Sequence, residues 1–225
     1  MTRVRLAPTA LLLLGATGVA VAVEQPKYRI EKDYGSFEIR VYERAIVAET
    51  VVTGAFGDGT NEGFRRLAGY IFGANDGGRK IAMTAPVGSA PAPAPGTKIA
   101  MTAPVGSEKT PDGWIVTFTM PSSLTMKTLP APDDARVRLR ELLPRRVAAV
   151  RFSGTWSAEK FEAIRAKLAS DAEEAGLVPA DGPPVFARYD PPRIPWFLRR
   201  NEVLIPLDEH PLSSGKRKTG VRRDS

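Results

Sequence analysis

The chain has 225 residues, 43% hydrophobic and 25% charged, with 20 glycines, 20 prolines and no cysteine, a mixture that suits one soluble core or two halves of one. Absence of cysteine excludes disulfides, thiolate metal sites and cysteine nucleophiles together. The formal charge of +7 sits mostly at the ends: residues 1–22 carry +2 and those from Pro211 onward +4, leaving +1 between. The middle therefore lacks the clustered basic footprint of a nucleic-acid-binding domain, and the terminal run KRKTGVRR within 211–225 reads as a basic, disordered tail.

Arg3 and Arg5 precede the apolar run LAPTALLLLGATGVAVAV, which closes on Ala20-Val21-Ala22. Charge, a short apolar core and a small-residue exit predict a signal peptide over 1–22 and export to the periplasm. The alternative is an uncleaved membrane anchor, the one way in which this sequence would engage a membrane. The folded domain is then expected over 23–210.

Within it, Phe37, Ile39 and Val41 alternate with polar residues and a β-branched stretch follows around Val47 to Val52, which predicts two strands. Gly54, Gly57 and Gly59 read as loop glycines, and the spacing of Phe64, Leu67, Ala68 and Ile71 as an amphipathic helix closed by Gly73. The decapeptide KIAMTAPVGS occurs at Lys80–Ser89 and again at Lys98–Ser107, joined by the proline-rich APAPAPGT. Alternation within each copy predicts two similar strands side by side, each ending at its proline. Another strand is expected from Trp114 to Met120. The second half echoes the first: VRLRELLPRRVAAVRFSG from Val137 aligns with FEIRVYERAIVAETVVTG, matching Arg40 with Arg140, Ala48 with Ala148 and Gly54 with Gly154. A helix follows there too, capped by Ser157 and ended by Gly176, then strands near Val185–Tyr189 and Glu202–Leu207. Two β-rich units with one helix each imply an α+β domain with pseudo-twofold symmetry, its mostly antiparallel strands forming a curved sheet or barrel with the helices outside.

Catalytic chemistry is hard to find. His210, the only histidine, stands beside Pro211 at the end of the last strand. No HExxH, GxSxG, Walker or EF-hand pattern occurs, and Asp133 and Asp134 lie in a proline-bounded turn. The inventory suits binding instead. Met83 and Met101 either line an adaptable apolar pocket or fill core gaps. Phe64, Leu67 and Ile71 either meet a ligand or dock the helix on the sheet, with Arg66 and Tyr70 beside that stripe. In YDPPRIPWFLRRNEV, Trp196 and Phe197 stand near Arg193, Arg199 and Arg200 in a loop stiffened by prolines. Such a set fits a flat ligand bearing carboxylates, or else packs on the core through an Arg–Glu202 pair.

In FEIRVYERAIVAET, GFRRLAGYIFGAND, both KIAMTAPV copies, FTMPSS with LPAPDDARV, VAAVRFSG and YDPPRIPWFLRRNEV, the chain resembles the SOUL haem-binding family from about Tyr28 to Leu207. The resemblance implies a distorted antiparallel β-barrel flanked by two helices, and haem or a related tetrapyrrole as a non-covalent partner beside the first helix. There it points to Phe64, Leu67 and Tyr70 for apolar contact and Arg66 for the propionates. Some relatives carry an axial histidine after the E-x-R of the first strand, whereas Glu38-Ile39-Arg40 is followed here by Val41. The axial ligand is therefore left open, to Tyr70 or a methionine or to none, and a buffer, carrier or sensor is expected, not an enzyme. A binding module for another amphipathic small molecule and an envelope protein-interaction domain are the alternatives.

Overall fold

The computed structural model describes residues 23–92 and 113–208. Nine strands form one antiparallel sheet: β1 (Tyr28–Asp33), β2 (Glu38–Tyr42), β3 (Ala45–Thr53), β4 (Val87–Pro91), β5 (Gly113–Thr119), β6 (Arg138–Leu142), β7 (Arg145–Phe152), β8 (Val185–Arg188) and β9 (Asn201–Pro206). Two helices, α1 (Phe56–Ile71) and α2 (Ala158–Glu174), complete the regular structure with a short 3-10 turn at Trp196–Leu198. The strand order is β1-β2-β7-β9-β8-β4-β5-β3-β6, a curled half-barrel whose outer strands are β1 and β6.

That order carries the duplication. Exchanging β2 with β6, β3 with β7, β4 with β8 and β5 with β9 turns the eight strands after β1 into their own reverse, so a pseudo-twofold axis passes between β4 and β8. The first strand of each unit pairs in the other: β2 with β7, and β6 with β3.

Both helices lie on one face of the sheet, α1 on β3 and β5 and α2 on β7 and β9. Under α1, Leu67 and Ile71 pack on Ala48, Val52, Val116 and Phe118. Under α2, Phe161, Leu168 and Ala172 pack on Ile39, Ala148, Val203 and Ile205. Phe56 and Trp114 join the two cores in the gap, Phe56 meeting Trp114, Phe161 and Phe186 edge-on. Ser157 caps α2, its Oγ accepting from Lys160 N–H at 3.2 Å. Gly73 and Gly176 follow the helices with φ of +123° and +76°, a region that side chains avoid.

Two expectations need correction. Helix α1 begins at Phe56, so Gly57 and Gly59 are helical and do not form a loop. Gly59 and Gly63 belong to the packing, while Gly57 faces open space: a Cβ on Gly63 would stand 2.5 Å from Val116 Cγ2, and one on Gly59 3.0 Å from the Thr53 carbonyl. Small residues set how closely α1 approaches the sheet. In the first KIAMTAPVGS copy the strand lies after the proline, over Val87–Pro91, while residues 80–85 run irregularly back from α1, with Ile81 N–H on Ile71 O. The Thr84 hydroxyl bonds the Thr119 carbonyl there. Strand β4 has β5 on one side and β8 on the other, so both of its edges are paired by described strands. That copy, with Met101, falls outside the described residues, as do the leader, His210 and the basic tail.

Candidate functional site

Helix α1 divides the residues singled out in the sequence. Leu67, Tyr70 and Ile71 are fully buried in the core between helix and sheet. The Tyr70 hydroxyl donates to Pro130 O at 2.9 Å, and burial raises its pKa, so the phenol is occupied and neutral. Phe64 stays half-buried with its ring edge-on to Phe118 at 5.3 Å. Arg66, two residues on, points the opposite way round the helix. It donates to Thr50 Oγ1 at 2.7 Å and Val51 O at 3.1 Å on β3, pairs with Glu62, and lies 3.8 Å from Asp134. Asp134 is itself held at about 2 by hydrogen bonds from Arg136. Arg66 therefore ties α1 to the β3 side, and the structure does not bring it together with Phe64. Met83, in the segment returning from α1, is 38% exposed.

The gap between the helices is floored by β4 and β8, and one row of cross-strand partners spans it: Phe118 opposite Val87, Val87 opposite Arg188, Arg188 opposite Asn201. Three inter-strand steps make a row of roughly 14 Å. Phe64 stands at one end. At the other, the Arg188 guanidinium lies 4.8 Å from the Trp156 ring and Arg199 lies 4.9 Å from it. The indole is fixed by its N–H on Asn201 Oδ1 at 2.8 Å, and Asn201 Nδ2 in turn donates to Gly154 O at 3.2 Å.

Arg188 is only 8% exposed and has neither a carboxylate nor a hydrogen-bond partner among the described residues. Burial alone drags its pKa down to about 10. A buried cation without a counter-charge is costly, and native interiors rarely leave one unmet. Sequence reasoning missed it, since RYDPP reads as an ordinary strand end. The signal was an arginine at a core-facing position: in VFAR, Phe186 and Arg188 share the face that packs toward α2.

The proline loop is held by its own carbonyls. Arg199 Nε donates to Ile194 O at 2.7 Å and its Nη2 to Pro192 O at 2.6 Å. Trp196 and Phe197 touch each other edge-on and are each 57% exposed. The expected Arg–Glu202 pair exists, and it lies on the opposite, helix-free face of the sheet. There Glu202, with no exposed surface, accepts from Arg40 Nη1 at 2.7 Å and Nη2 at 3.3 Å, from Arg200 Nη2 at 2.8 Å and Nε at 3.1 Å, and from the Tyr189 hydroxyl at 2.8 Å. Arg40 also donates through Nε to Glu38 at 2.6 Å and lies over the Tyr28 ring at 4.5 Å. This network borders a cavity of about 330 Å³.

Among the described residues no three His, Asp or Glu side chains gather as metal ligands, and no helix is long and apolar enough to cross a membrane. The family model for the SOUL heme-binding protein matches residues 23–206. Human heme-binding protein 2 is 30% identical over 191 residues, 83% of this chain and 87% of that protein. Among solved structures, an uncharacterized conserved protein from Listeria innocua superposes with a TM-score of 0.55 at 12% identity, covering 77% of this chain and 92% of its own. A hydrolase from the same organism gives 0.54 at 12% identity with the same coverage. The EcmrR C-terminal domain gives 0.53 at 12% identity, covering 81% of this chain and 99% of its own. At such identities these structures share the fold and nothing finer.

Proposed function

Because the chain belongs to the SOUL haem-binding protein family, we propose that it binds haem or a related tetrapyrrole, non-covalently and without catalysing a reaction, in the gap between the two helices. The observation that carries the reading is Arg188. A mostly buried guanidinium beside an indole, with no carboxylate partner among the described residues, is chemically matched to a carboxylate, and haem brings two. On this reading a planar macrocycle lies along the row from Phe64 to Arg188, with its apolar edge toward Phe64 and Phe118 and its propionates toward Arg188 and Arg199. Burying the flat ring against these aromatics supplies non-directional affinity. Arg188 takes the propionate role that the resemblance implied for Arg66, whose guanidinium is held against Thr50, Val51 and Glu62 on the β3 side.

Axial coordination is not required for this mode of binding. Tyr70 is unsuited, with its hydroxyl donated to Pro130. Weak or absent ligation favours a carrier, buffer or sensor over an electron-transfer protein. The leader-like residues 1–22 support export to the periplasm as its place of work.

Haemin titration followed at the Soret band tests this. The wild-type protein is expected to saturate at one equivalent. Arg188→Ala and Phe64→Ala are each expected to weaken binding by roughly tenfold or more, from the loss of a charged hydrogen bond or an aromatic contact, and Arg66→Ala by much less. A titration with no saturable shift, or one equally insensitive to Arg188 and Phe64, would overturn the assignment.

A further inference from the structure

We propose that the cavity on the helix-free face is a second binding site, for a small oxyanion: a carboxylate or phosphate group on a polar molecule that also has a hydroxyl or amine to donate. Its lining includes Arg40, Arg151, Arg200, Glu38, Glu202 and Tyr28. At about 330 Å³ it lies at the small end of ligand cavities, with room for about ten waters or a compact metabolite.

The sign of the ligand follows from counting donors and acceptors. Glu202 already accepts five hydrogen bonds, and a carboxylate has about four lone-pair directions. The buried acid is saturated and offers nothing to a cation. Donors, by contrast, remain. Arg151 stands directly across from Glu202 in the β7–β9 register, on the same face, and makes no hydrogen bond or ion pair among the described residues. Arg200 spends Nε and one Nη2 proton on Glu202 and reaches Gln25 at 3.3 Å, which leaves one N–H on each terminal nitrogen. Two guanidinium groups with unspent N–H groups over a neutralised floor form a fork for an oxyanion. At the rim, Glu38 Oε1 and Asp33 Oδ2 accept no hydrogen bond among the described residues, while their partner oxygens are occupied. They suit a donor on the same ligand.

The pseudo-twofold provides an internal comparison. The pair equivalent to Arg151 and Glu202 in the other half is Val51 and Ile115, which face each other in the β3–β5 register. The same place in the same fold is thus filled by two apolar residues. Sheet formation does not call for a buried carboxylate with two arginines here, nor for Arg151 beside them without a partner among the described residues.

Isothermal titration of the purified protein in a chloride buffer, with sodium lactate and inorganic phosphate as separate probes and choline as the cation control, tests the site. Lactate or phosphate is expected to bind saturably, lactate alone if the hydroxyl matters, and choline not at all. Arg151→Ala is expected to lose roughly tenfold in affinity, with an unchanged melting temperature because the side chain is exposed, and Arg151→Lys to lose less. Saturation with haemin is expected to leave this binding intact, which separates it from the site on the other face. No saturable binding of either oxyanion, equal binding by Arg151→Ala, or binding of choline in their place would overturn the proposal.

Discussion

Replacing Arg188 by methionine separates the cost of a binding residue from its use. Burial brings this guanidinium down from its ordinary value to about 10, so its charged form at neutral pH is penalised in the fold by roughly 3 kcal/mol. Stacking on Trp156 at 4.8 Å returns about 1–2 kcal/mol of that. Methionine keeps most of the apolar length and removes the charge. The ligand-free variant is therefore expected to be more stable than wild type by about 1–2 kcal/mol, raising Tm by roughly 2–8 °C. The pH dependence has a definite sign: from about pH 10 up to the higher unfolded value, the unfolded wild-type arginine holds more protons than the folded one, so wild-type stability rises with pH there, and the variant loses that rise. Guanidinium chloride unfolding followed by circular dichroism gives the first quantity, and the haemin titration shows the accompanying loss of affinity. A variant less stable than wild type by 1 kcal/mol or more, with haemin affinity intact, would refute the reasoning, because Arg188 would then be a satisfied structural residue.

Glu202→Gln is expected to destabilise the fold by about 3–5 kcal/mol, since it leaves Arg40, with 4% of its side chain exposed, and Arg200 without their shared counter-charge; urea unfolding measures it. Burial pushes the Glu202 carboxyl up, but Arg40, together with Arg200 and Tyr189, holds it below its ordinary 4.5. Its contribution is present above that value and lost as pH falls through the lower folded value. The gap between wild type and Glu202→Gln should accordingly narrow below pH 4.5. Gly63→Ala is expected to cost about 1–3 kcal/mol by overpacking, because the new methyl would meet Val116 at 2.5 Å; a thermal melt unchanged from wild type would mean that α1 moves off the sheet without penalty.

Strands and helices were legible wherever one periodicity ran unbroken. The period-two stretch from Glu38 to Thr53 and its echo from Arg138 to Phe152 became strands, and Ser157 and Gly176 bracketed α2. Reading failed where glycine has two uses. Gly59 looks like loop chemistry in sequence, yet with Gly63 it is the surface that lets α1 sit close to β3 and β5, a tertiary reason that no local pattern carries. The KIAMTA alternation misled in the same way, because alternation cannot say whether a ladder has a partner. At the site, the aromatic and basic inventory of α1 and the proline loop was visible, but which arginine remained unpaired was not. Arg66 and Arg188 are alike on paper. They differ because Thr50 and Val51 of β3 hold one, with Glu62 a turn back on its own helix, while among the described residues the other meets the Trp156 ring from the loop before α2, and β3 and Trp156 are brought in only by the tertiary fold.

The exchange of β2 and β6 across the pseudo-twofold has a consequence for what one half can do alone. Each unit on its own would lack the neighbour that its β3 or β7 requires, and would show an unsatisfied edge to any identical copy able to fill it. Joining the units in a single chain makes that mutual completion permanent, and frees the two surfaces from having to match. One half kept valine and isoleucine in its floor, while the other took up a charged cluster, so a nearly symmetric scaffold presents two different faces to solutes.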